Sequence, residues 1–110
     1  MISSSQSNLV IVFCSCPSET LAKDLANGIL KNRLAGCVKV LPVQSSIYLW
    51  KGNLVNETES LMIIKTLNFK VGELERYILD NHDYETPEVV TIPVLKATED
   101  YMVWIEQCIT

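Results

Sequence analysis

The sequence is short of glycine, of histidine and of positive charge, and each shortage removes a class of activity. Only four glycines are present, so a glycine-rich loop that cradles phosphate is missing, as is any G-x-S-x-G. The one histidine, His82, stands without a nucleophile and orienting acid at recognisable spacing, and the chain is expected not to be an enzyme. Nine lysines and arginines are scattered among thirteen acidic residues, for a net charge of −4. That balance works against a grip on nucleic acid or an anionic membrane, and neither is expected as a partner. Long apolar runs are also missing. The run from Leu9 to Phe13 is too short for a span or a signal-peptide core, and the leader MISSSQSN is polar and uncharged. A cytoplasmic location is therefore expected, with Cys14, Cys16, Cys37 and Cys108 as thiols rather than a disulfide framework.

What is present is 48% hydrophobic over 110 residues, enough for one core but not two. Residues 1–8 read as a loose tail and 9–110 as a single domain. The β-rich run from Asn8 to Cys16, closed by Pro17, predicts a buried strand. Leu21, Ala22, Leu25, Ala26, Ile29, Leu30 and Leu34 then recur at helical spacing, with Ser18 or Pro17 opening the helix and Gly36 placed to cap its end. From Ser45 to Leu67 the sequence predicts one long β-hairpin turning at Lys51, Gly52 and Asn53, its first arm continuing a strand that starts near Cys37 and is bulged or at an edge near Pro42. Both phases of the arms are apolar, so both faces need cover. Two helices fit on one side of a small four-stranded sheet, and each large apolar side chain contributes roughly 1.5 to 3 kcal/mol when buried, so further copies of the chain are expected on the other.

After the hairpin, Asn68 is placed to cap a helix from Phe69 to about Leu79. A strand over Glu88–Val94 and a last helix starting after Thr98 follow. The order β-α-β-β-α-β plus a terminal helix predicts an α+β, ferredoxin-like sandwich with strand order 4-1-3-2. An RNA-binding module shares that order but needs stacking aromatics on its central strands, and LMIIKTL has none.

This topology gathers Cys14, Cys16 and His82 at the end of the sheet from which the hairpin projects. Two thiolates and an imidazole suit a soft or borderline ion such as Cu(I) or Zn(II). The same residues also read as small packing cysteines and an ordinary loop histidine. Glu57, Glu59 and Lys65 share one phase of the second arm. With a two-residue turn at Lys51 and Gly52, Tyr48 and Trp50 fall on their face, so a polar and aromatic pocket, or merely interface ion pairs, follows. Tyr84, Glu85 and Glu88 add acceptors from the loop.

The run S-I-Y-L-W-K-G from Ser46 to Gly52, then Glu59, I-I-K-T ending at Thr66, H-D-Y-E-T-P-E from His82 to Glu88, and Y-M-V-W-I from Tyr101, resembles the CutA divalent-cation tolerance family, over nearly the whole chain from Leu9 onward. The resemblance implies a ferredoxin-like homotrimer concerned with tolerance to divalent metals and binding copper. Carried over by position, it implies Cys14 and His82 as ligands. Asn81 and Asp83 stand where the family's His-His-Pro-Tyr form has its first histidine and its proline, and Cys16 or Asp83 is expected to substitute for the lost imidazole. The alternative is a signalling trimer resembling the PII proteins, with a small anionic metabolite in a cleft formed by Tyr48, Trp50, Glu59, Lys65, Tyr84 and Glu88.

Overall fold

Alternation along two neighbouring strands decides which side of the sheet carries the core. In the third strand Ser60, Met62, Ile64 and Thr66 are buried, while Glu59, Leu61, Ile63 and Lys65 between them are half-buried. The computed structural model describes residues 7–110. It comprises β1 (Leu9–Cys16), α1 (Glu19–Lys31), β2 (Cys37–Trp50), β3 (Asn53–Leu67), α2 (Val71–Asn81), β4 (Val89–Pro93) and α3 (Glu99–Ile109). The sheet is antiparallel in the order β2-β3-β1-β4, the ferredoxin-like arrangement the element order predicts. α1 and α2 cover one face, where Ala22, Leu25, Ile29, Leu74 and Ile78 pack on Val10, Val12, Cys14, Cys16, Met62 and Ile64.

On the other face α3 covers one end only. Ile105 and Ile109 pack there on Leu9 and Leu67. Along the rest of it Ile11, Phe13, Leu61 and Ile63 are half-buried, and Leu41, Val90 and Ile92 are exposed. β1 accompanies β3 only as far as Cys16 opposite Ser60. Beyond that point β2 and β3 pair with each other alone, out to Trp50 opposite Asn53. The turn is a two-residue one, with Lys51 at φ 51° and Gly52 at φ 81°, the left-handed pair whose twist matches the strands.

Local differences from the sequence reading have identifiable causes. Ser18 does cap α1, its Oγ accepting from the Leu21 N–H at 3.1 Å. At the other end, however, Arg33 rather than Gly36 takes the left-handed position, at φ 55°. The N–H groups of Arg33 and Leu34 donate to the carbonyls of Leu30 and Ile29, so the helix closes in a Schellman motif three residues early. Asn68 opens a short 3-10 turn, Asn68–Lys70, and α2 starts at Val71 without a side-chain cap. The Asn68 backbone N–H donates to Asn8 O at 2.8 Å. Pro42 lies on the edge strand, where no donor is required of it, and the ladder shifts register just after it, between Val43 and Ser46. β4 starts at Val89, one residue later than expected. Of the expected tail, residues 1–6 lie outside those described, and Ser7 Oγ donates to Val94 O at 2.6 Å.

Candidate functional site

Two groups of polar side chains meet where β1 ends and the hairpin leaves the sheet. The first is on the core side. Cys14 and Cys16, two apart on β1, both point towards the helices and are fully buried, and the loop after α2 brings His82 beside them. The ligand atoms of all three lie within 4.8 Å of one another. The hydrogen bond between the sulfurs, followed by burial, pushes the Cys14 thiol far above its ordinary range. The same bond draws Cys16 down against the opposing effect of burial.

His82 is held at both ring nitrogens. Nε2 lies 2.8 Å from Ser15 O, and Nδ1 accepts from the Tyr84 N–H at 3.0 Å. A carbonyl can only accept, so Nε2 carries the proton and the ring is neutral. Both sulfurs fit a soft ion by chemistry and position. The imidazole fits only by giving up one of its two hydrogen bonds, because its lone pair is already used. Asp83, expected as a substitute ligand, lies outside this cluster.

The second group lines a cavity of about 590 Å³ on the opposite side of the sheet end, between the hairpin and the 82–88 loop. The register of the sequence reading holds, Tyr48 pairing with Val55 and Trp50 with Asn53, and this sets both aromatics on the face of Glu57 and Glu59. Tyr84 Oη donates to Glu59 Oε2 at 2.6 Å, Tyr48 Oη donates to Glu57 Oε1, and Ser15 Oγ donates to Glu88 Oε1 at 3.0 Å. The hydrogen bond to Glu57 pushes the Tyr48 phenol up to about 12. Burial, then the bond to Glu59, raises that of Tyr84 as well.

Of the residues expected in this cleft, Tyr48, Trp50, Glu59, Tyr84 and Glu88 line it and Lys65 does not. Lys65 lies six positions from Glu59 along β3, about 20 Å away, with its ammonium 5.3 Å from the Tyr101 ring centroid. Shared phase gave the side of the sheet and not the distance along it. The lining of the single chain also includes Asp83, Glu57 and Glu85. Ser15, Ser46 and Thr86 also line it and were not singled out. Strand phase puts Ser15 on this face between two inward cysteines, a signal that was available.

The sequence model described as CutA1 divalent ion tolerance protein matches residues 10–108. The Protein CutA homolog of Xenopus laevis is 41% identical over 98 residues, 89% of this chain and 65% of its own length, so the chain spans just under two thirds of that relative. The divalent-cation tolerance protein CutA of Yersinia pestis is 38% identical over 101 residues, 92% of this chain and 85% of the relative. In three dimensions the crystal structure of CutA from Xylella fastidiosa superposes with a TM-score of 0.91 at 29% identity, over 94% of this chain and 100% of that one.

Proposed function

The chain belongs to the CutA1 divalent ion tolerance protein family, and on that premise we propose that it is a non-enzymatic homotrimer that binds copper in the response to divalent cations. The observation that carries the copper reading is the meeting of two buried sulfurs and one imidazole at the end of β1. Thiolates select soft ions, which favours cuprous copper over magnesium or calcium. Cys14 and Cys16 would hold the ion through sulfur, and His82 would join them only after its Nδ1 lone pair gives up the Tyr84 N–H. Binding at the thiols would release protons, because thiolate is the form that ligates. Both thiols must stay reduced to act, which suits the cytoplasm.

Titration with Cu(I) against a chromophoric chelator tests this. Cys14→Ser and Cys16→Ser are each expected to weaken binding by at least about tenfold, and His82→Ala by less, because its ring must first break a hydrogen bond. Unchanged affinity in both cysteine variants would remove the copper reading. The trimer is supported by the bare apolar half of the sheet that α3 leaves, which lone chains would present to water.

A further inference from the structure

Two thiolates leave room on a cuprous ion for a third soft donor, and the nearest imidazole is not free to be one. The Nδ1 lone pair of His82 accepts from the Tyr84 N–H at 3.0 Å, and Nε2 donates to Ser15 O at 2.8 Å. Strand register supplies another candidate. β1 and β3 pair with Cys14 directly opposite Met62, and residues so opposed share a face of the sheet, with Cβ atoms about 4.5 to 5.5 Å apart. Cys14, Cys16 and Met62 are all fully buried in the core that α1 and α2 of the same chain cover. Their surroundings therefore do not depend on what a neighbouring copy adds to the other face. A methionine in a core ordinarily fills irregular space. Met62 differs by its place in the ladder, since Leu61 and Ile63 on either side of it face the other way.

We propose that Met62 is the third ligand of the copper site, its thioether completing a three-sulfur set with Cys14 and Cys16 that selects cuprous copper over zinc. This rests on the copper reading above and names the donor that gives it specificity. Thioether sulfur is a soft donor that suits Cu(I), whereas zinc takes thiolate, imidazole and carboxylate. Three rotatable bonds let the Met62 side chain bring its sulfur to an ion without moving the strand. His82 then keeps both hydrogen bonds when copper is bound, and only an ion that needs its nitrogen has to break one.

Competition titrations of the full chain with Cu(I) and with Zn(II), each against a chromophoric chelator, test the selectivity. Met62→Leu conserves volume, so the core is expected to hold. It is expected to weaken Cu(I) by at least about tenfold, the least that losing a supporting partner commonly costs a metal site, and to leave Zn(II) affinity as it was. Selenomethionine labelling gives a second reading that needs no substitution. With Cu(I) bound, X-ray absorption at the selenium edge is expected to show a copper neighbour, and labelled Met62→Leu, which keeps only Met1 and Met102, to show none. Loss of Cu(I) affinity in Cys14→Ser and Cys16→Ser without loss in Met62→Leu would overturn the role of Met62 and leave the copper reading standing. Equal losses of Cu(I) and Zn(II) in Met62→Leu, or no copper neighbour at selenium, would also overturn it. Unchanged Cu(I) affinity in both cysteine variants would bring down both readings.

Discussion

At the scale of single residues, what the side chains could be was plain from the sequence, and what they were already bonded to was not. The approach of His82 to Cys14 and Cys16 follows from strand order alone. The use of both its nitrogens depends on the backbone turn that brings the Tyr84 N–H to one edge of the ring and on the end of β1, which presents the Ser15 carbonyl to the other. Lys65 lies away from the cavity of the single chain for a related reason, since alternation fixes a face and says nothing of position along a strand of 15 residues. Tyr84 offers a direct check on the cavity. Its phenol titrates late, so the neutral form is the one the folded state favours. The bond to Glu59 is fully present below pH 10, the ordinary tyrosine value, and is lost as pH rises through the raised value. In an alkaline titration followed by tyrosinate absorbance, Tyr84→Phe is expected to remove a late component. At neutral pH it should lower stability by only about 0.5 kcal/mol, because solvent reaches the pair.

At the scale of elements, order, strand register and the inward stripes of α1 and α2 were legible because they repeat, at two or at 3.6 residues. Ends were less so. The helix α1 could be closed by any residue that tolerates a left-handed turn, and Arg33 does so while its guanidinium reaches Cys108 O at 3.3 Å. That frees Gly36 for a different purpose, visible only once α3 is in place. A Cβ on Gly36 would stand 2.8 Å from Ile105 Cγ1 and 3.3 Å from Cys108 Cβ. Ile105 is fully buried and cannot swing aside. Gly36→Ala is therefore expected to push α3 off Leu9 and Leu67 at a cost of about 1–3 kcal/mol, read as a lower urea midpoint. Stability equal to the parent would show that α3 is held less closely than the packing describes.

At the scale of the whole molecule, the two-sided apolar hairpin is the feature from which further copies are expected, and the structure sharpens where such copies would act. α1 and α2 satisfy one face, α3 reaches only the near end of the other, and Leu41, Val90 and Ile92 stay exposed on the remainder. Sedimentation at micromolar concentration is expected to give three times the 12.4 kDa chain mass, and a stable single chain would end the trimer reading. The projecting arm, which stretches the chain to 49 Å in its longest dimension, has no third strand beside it, and Ile47, Leu49 and Leu54 are largely uncovered.

A two-stranded ribbon in water opens and closes readily, so its amide protons should swap for deuterium almost as soon as they are offered it, long before those of β1. Should the arm instead resist exchange until the protein is diluted, the timing of that loss would report subunit separation amide by amide, and would mark which side of the ribbon a neighbour had been shielding.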